Sequence, residues 1–461
     1  MKKIFSILAV LVAVATLSES ASAQLRTSYF MKGSTQRYEM NPALSPSRGY
    51  LTIPVLGSLQ TSLETNFLSA ENFIFPNGEG NGVVTYMHKS VSAEQFLSKL
   101  PDVNSIEFGL NDQIFGIGNY FRGGFWSLGV RLRSENVIDI PKDFFALTKT
   151  LSQGTYNIGG MGIESNNFIE ASLGYTFPVQ DVFTLGFRAK LLLGLARVSA
   201  KIDQLDITIG EEGYSADMAG SLQASVAGYN FDSIEGIVEM GNVVNHLTNF
   251  NNFNPSNITS VGFAVDAGIE WTFNDEQIRL SAAVNDLGFN AWSANSTLCA
   301  TIDNVGFSFE GYDLASNELK FSSPENIVLQ TTKDAIEGNI ALHTSFVVGC
   351  EYNVANDILG IGVLWNNKRY ANRQWNSIGG ALTLRPTSWL TASASYSVVN
   401  SVGVAGFALN LHPALINFFV GMDYIATKYG TAMAGAIPVP LNQNSVNLSF
   451  GLSIPLGKRL F

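Results

Sequence analysis

Residues 446–456 read Val446-Asn447-Leu448-Ser449-Phe450-Gly451-Leu452-Ser453-Ile454-Pro455-Leu456. Every second residue from Val446 to Leu456 is apolar, and the residues between them are Asn, Ser, Gly or Pro. Alternation of period two marks a strand with one greasy face, and about ten residues is the length a tilted strand needs to cross a bilayer.

Earlier segments repeat the alternation with charges on the second face. Trp126, Leu128, Val130 and Leu132 oppose Arg131 and Arg133, while Ile169, Leu173, Tyr175 and Phe177 oppose Glu170. Phe183, Leu185, Phe187, Leu191 and Leu193 oppose Arg188 and Lys190. Val261, Phe263, Val265, Ile269 and Trp271 oppose Asp266 and Glu270, and Phe346, Val348 and Tyr352 oppose His343 and Glu351. Such charges would be costly unpaired in a dry sandwich core, whereas a barrel lumen offers them water and one another. Arg131, Arg133, Glu170, Arg188, Lys190, Asp266, Glu270 and Glu351 are therefore expected to face a wet lumen and to pair there.

Segments of this kind between Tyr50 and Leu456 number roughly fourteen, an even count as in single-chain bacterial barrels. The expected fold is all-β: a transmembrane antiparallel β-barrel of about 14 strands. Its strands use only about 140 residues, so the surplus must form extensions, loops and a plug. The facing also places Tyr175, Trp271, Tyr352 and Tyr424 near strand ends, where interfacial girdles form.

Composition agrees with a membrane barrel. Hydrophobic residues make up 46% of the 461, charged residues only 14%, against about 25% in a typical soluble domain. A net charge of -11 disfavours nucleic acid and leaves membrane lipid and nonpolar solutes as better partners. At the N-terminus, Lys2 and Lys3, an apolar run from Ile4 to Leu17 and Ala21-Ser22-Ala23 read as a signal peptide over 1–23, cleaved before Gln24 and directing export to the periplasm. No second long apolar run follows, so an integral state must be a barrel.

Residues 24–49 lack alternation and suit a plug inside the lumen or a periplasmic tail; the barrel proper is read as 50–461. Three short loop helices are expected. Ser92 to Gln95 has capping-box spacing, Pro141 suits a first helical position, and Asp232-Ser233 precedes Ile234, Ile237, Val238, Gly241 and Val244 at helical spacing. Their apolar faces need cover from neighbouring loops or from a hydrophobic ligand. Asp232-Ser233-Ile234 also resembles the short O-glycosylation site of Bacteroidota.

Cys299 and Cys350 can pair or remain two buried free thiols, although the facing points Cys350 toward lipid. His88, His246, His343 and His412 have no metal-ligand spacing, the glycines form no phosphate loop, and no cofactor is implied. Residues 249–257 are rich in Asn without an ordered calcium pattern. His343 and Ser345 share a strand face, as in outer-membrane phospholipases, but no third orienting residue can be assigned and catalysis is not expected.

Asn41-Pro42-Ala43, the segment Val284-Asn285-Asp286-Leu287-Gly288-Phe289 and the aromatic end at Phe461 resemble a group of Bacteroidota outer-membrane β-barrels. That group is related to the FadL-type long-chain fatty acid transporters and to the PorV-type secretion barrels. The resemblance implies a hatch role for Asn41, Pro42 and Ala43, in which Pro42 would stiffen the plug by fixing φ. It further implies uptake of hydrophobic molecules past the hatch and out through the wall. The alternative is a non-conducting barrel whose long loops hold an outer-membrane or surface protein, as in the secretion-associated members.

Overall fold

Alternation along the chain resolves into a closed antiparallel barrel of 14 strands. These are β1 (Gly49–Thr52 continued by Leu59–Thr65), β2 (Val103–Phe121), β3 (Gly124–Pro141), β4 (Met161–Val179), β5 (Phe183–Ile209), β6 (Ser260–Phe273) and β7 (Ile278–Trp292). The second half holds β8 (Ser345–Val354), β9 (Leu359–Tyr370), β10 (Arg373–Thr387), β11 (Leu390–Val399), β12 (Val402–Leu411), β13 (Asn417–Ala426) and β14 (Ser445–Leu456). Each pairs with the next, and β14 closes on β1, with Tyr50 opposite Pro455 and Leu59 opposite Phe450. Closure leaves the wall without an unpaired edge, which a hydrocarbon surrounding requires.

The computed structural model describes residues 25–77, 82–150, 152–180, 182–210, 214–231, 236–247, 250–274, 276–313, 318–322, 328–331, 339–355, 357–370, 373–400, 402–426, 429–432, 437–440 and 445–457. The expected signal peptide, Asp232-Ser233-Ile234 and Phe461 lie outside the described residues. No helix among the described residues is long and apolar enough to cross a membrane.

At one end the strands are joined by tight turns such as Arg122-Gly123, where both residues take positive φ. The other end carries the long connections. Leu173, Phe187, Phe263, Leu287, Val363 and Leu382 are exposed on the outer face, forming the apolar band of a bilayer-spanning wall. Near the short-turn ends Trp271 stacks on Phe183 at 5.4 Å and Tyr175 on Phe177 at 5.7 Å.

Part of the surplus sequence continues the sheet beyond the wall. Up to Gly194, β5 pairs with β6; from Ala196 to Ile209 it pairs instead with Tyr214–Val226, which in turn pairs with Thr297–Asp313. Another part forms a small aromatic core over the long-loop end, with Phe67, Phe75, Phe96 and Phe145 buried against one another and Tyr86 stacked on Phe96 at 4.2 Å. The helix Ala93–Leu97 presents Phe96 to it, capped by Ser92, whose hydroxyl accepts from the Gln95 N–H at 3.0 Å. The apolar loop faces thus cover each other.

Two helix expectations need correction. Pro141 ends β3 and the helix Lys142–Thr150 begins one residue later, because Pro141 is still paired opposite Val103. Gly236–Glu239 is a strand paired with Val328–Thr331, so the helix expected there is confined to Met240–Leu247. Cys299 is buried, Cys350 is exposed, and both are free thiols.

Candidate functional site

Residues 25–48 turn inward rather than trailing away. Ser34 caps the helix Thr35–Met40 by accepting from the Gln36 N–H at 3.1 Å. Asn41 ends that helix in an extended conformation, as a residue before proline must, and its Oδ1 accepts from the Ala43 N–H at 2.9 Å.

The segment touches all 14 wall strands. On the first half of the wall, Gln60 of β1 donates to Glu39 at 2.5 Å, Tyr120 of β2 meets Ser45 at 3.0 Å and Ser127 of β3 meets Tyr38 at 2.9 Å. Thr176 of β4 donates to the Pro42 carbonyl at 2.6 Å and Arg188 of β5 to the Tyr38 carbonyl at 2.7 Å. Glu270 of β6 pairs with Arg37 at 3.6 Å, and Ser281 of β7 meets the Tyr29 hydroxyl at 2.9 Å. On the second half, Tyr29 packs over Gly349 of β8 and Phe30 over Gly362 of β9, while Arg385 of β10 donates to the Phe30 carbonyl at 2.7 Å. Thr27 bonds Ser395 of β11 beside Gly406 of β12, the Arg26 N–H donates to Asp423 of β13 at 2.8 Å, and Gln36 lies against Gly451 of β14. A segment in contact with the whole circumference occupies the axis.

Above it lies a charge network. Arg133 pairs with Glu135 (2.7 Å), Glu170 (2.8 Å) and Asp286 (2.7 Å). Lys190 pairs with Asp286 (2.6 Å) and Asp266 (2.8 Å), and Asp266 also takes Arg188 at 3.0 Å. Arg131 pairs instead with Glu39 of the segment at 3.1 Å, and Glu351 with Arg385. The sequence-derived charges therefore divide: Arg133, Glu170, Arg188, Lys190 and Asp266 meet in one cluster, whereas Arg131, Glu270 and Glu351 are taken up separately. Glu170 is 0% exposed and Asp266 1%, closed in by their ion partners.

Asp286 and Glu135 were not among the sequence-derived charges, and Asp286 has a specific reason. Strict alternation sends it outward with Val284. Instead the register slips between Val265 and Ala267, Asp286 takes φ 59, and both Asn285 and Asp286 turn into the lumen. This is the re-aiming a bulge performs, and the Asp286 N–H it frees donates to Asp266 at 2.8 Å. Asn and Asp are among the few residues that tolerate such φ, so Asn285-Asp286 before Leu287-Gly288 was the available signal.

His343 contacts Glu135 at 2.7 Å, and Ser345 accepts from Asn285 at 3.4 Å. His343 is thus held by the charge network. Among the described residues no group of three His, Cys, Asp or Glu side chains is arranged to hold a metal.

A family model spans residues 42–423, most of the chain. The chain belongs to DUF5723, a family of unknown function. No curated protein matches it. Among solved structures, this DUF5723 chain is similar to the Pseudomonas putida toluene transporter TodX, at 9% identity over 95% of this chain and 99% of that one, with a TM-score of 0.45. It is also similar to the monoaromatic hydrocarbon channel CymD (9% identity, 95% and 98% covered, TM-score 0.37). A Pseudomonas aeruginosa FadL homologue is similar at 11% identity, 95% and 99% covered, with a TM-score of 0.26.

Among the described residues, the DUF5723 wall is interrupted within β1. Between the two parts of β1, residues 53–58 leave the ladder, and Val55 takes φ 67, rare for a β-branched residue. Pro54, Val55 and Leu56 project outward as an exposed apolar tongue. The tongue keeps two backbone bonds to Leu452 of β14, while toward β2 the Gln113 N–H reaches the Ser58 carbonyl. Opposite the tongue, β2 is itself bulged between Gln113 and Phe115.

Proposed function

We propose that this barrel lies in a bacterial outer membrane, short turns toward the periplasm, and takes up hydrophobic small molecules. The N-terminal segment serves as its hatch. What supports this reading is that residues 25–48 lie against every wall strand through side-chain contacts without joining the ladder. A wall strand cannot leave without opening a sheet edge to lipid, whereas the segment can shift while the barrel stays closed. Asn41, Pro42 and Ala43 form the part of the hatch seated against β4, β5 and β6. The interrupted ladder between β1 and β2 is the weakest part of the wall, and we assign it as the place where a solute leaves sideways.

The test is uptake of labelled fatty acids and aromatic hydrocarbons by cells with and without the protein. Protein-dependent, saturable accumulation is expected; accumulation unchanged by deleting the gene refutes uptake.

The sheet beyond the wall, built on β5 and Tyr214–Val226, favours a second reading in which the long-loop end holds a protein partner. Pull-down from intact outer membranes separates the two, since only this reading yields a stoichiometric partner.

A further inference from the structure

The interruption in β1 borders an acidic side chain in the wrong surroundings. Asp112 of β2 lies opposite Leu59 on one side and Leu132 on the other, within the outward-facing series of the wall. Its neighbours in that series, Leu59, Leu110 and Leu132, are apolar. Asp112 is nevertheless only 9% exposed, and its Oδ1 has no hydrogen-bond partner. An ionisable group facing the bilayer without a partner is costly, and in such places it marks a pathway or a binding site.

The inner side of the interruption is polar as well. Thr52, Ser58, Gln60 and Gln113 are all buried there. The Thr52 hydroxyl donates to the Gly116 carbonyl at 3.1 Å, and the Gln113 amide lies across Gly116, where a Cβ would come within 2.0 Å of it. Gln60 continues the line inward by donating to Glu39. Arg131 stands opposite Gln113 and is already paired with Glu39, and Arg133, opposite Asn111, is paired with Glu135, Glu170 and Asp286. From hatch to lipid the break therefore offers acceptors at both ends, Glu39 and Asp112, and among the described residues no ion pair reaches Asp112.

Resting on the uptake reading, we infer that the break between β1 and β2 receives the polar end of an amphiphilic solute, and that this end is a hydrogen-bond donor, an amine or a hydroxyl, rather than a carboxylate. A donor satisfies the open Oδ1 of Asp112 as the apolar tail passes the tongue at Pro54, Val55 and Leu56. A carboxylate meets a second carboxylate in a medium that screens little.

The test is photolabelling of the full-length barrel in nanodiscs with long-chain alkyl probes ending in an amine, an alcohol or a carboxylate. The amine and alcohol probes should label peptides spanning residues 51–60 and 108–117 about tenfold above the carboxylate probe. Asp112→Asn should lower amine labelling about tenfold, and Asp112→Leu should abolish the preference. Equal labelling by all three probes, or a preference unchanged in both variants, overturns the inference. Uptake and labelling fail separately: labelling without uptake removes the transport reading and keeps the site, whereas uptake without labelling here removes the site alone.

Discussion

Gly186 and Gly268 face each other across β5 and β6, and Asn41-Pro42 is seated in the notch they leave. A Cβ on Gly186 would come within 2.0 Å of the Pro42 carbonyl oxygen, and one on Gly268 within 2.0 Å of the Asn41 Oδ1. Only glycine at both positions lets the segment's backbone approach the wall this closely.

Enlarging the notch residues should therefore loosen the segment and spare the barrel. Overpacking typically costs about 1–3 kcal/mol, which is enough to shift a docked segment. Gly186→Ala and Gly268→Ala are expected to raise amide hydrogen exchange over residues 35–44 and to increase conductance in planar bilayers. The heat-modifiable gel shift of the folded barrel should remain.

Arg133 holds three carboxylates in the charge network. Removing one partner of a buried ionic cluster leaves the others uncompensated, at about 3–5 kcal/mol. Arg133→Met should lower the urea midpoint of unfolding substantially. Arg279→Met, which removes a pair with the solvent-exposed Glu276, should change the unfolding free energy by at most about 1 kcal/mol.

Lys32 pairs with Asp357 in the turn between β8 and β9. Burial, with repulsion from Arg279 beside it, lowers the ammonium to about 8 from the ordinary 10.5. Between those values the released segment binds more protons than the docked one, so docking strengthens as pH rises through that window. The urea midpoint for releasing the segment should climb between about pH 7.5 and about pH 10 in the wild type. It should stay flat in Lys32→Met.

Thr27 and Ser395 touch through their hydroxyls, so cysteines there are close enough to cross-link. In a background with Cys299 and Cys350 replaced by Ser, oxidising Thr27→Cys with Ser395→Cys should tie the segment to β11 and suppress uptake. Reduction should restore it.

The wall was legible because alternation reports which side of a strand meets lipid, and nothing else in the molecule competes with that signal from Val446 to Leu456. The inward charges followed from the same periodicity. Asp286 escaped because a bulge reverses its parity. The helix Thr35–Met40 escaped because it has no apolar face: Gln36, Arg37 and Glu39 are all buried inside the barrel, where polar walls receive them. Gly186 and Gly268 are ordinary strand glycines until the segment they receive is in view. The sheet beyond the wall joins Tyr214–Val226 to Thr297–Asp313, a long-range pairing that no local pattern announces.

The most direct measurement of the central claim is the initial rate at which cells producing the wild-type barrel accumulate a labelled hydrophobic compound, against cells producing the oxidised Thr27→Cys, Ser395→Cys form at equal surface abundance. Saturable accumulation is expected in the first and a rate near that of cells without the barrel in the second. Equal rates with the segment free and the segment tied would contradict it.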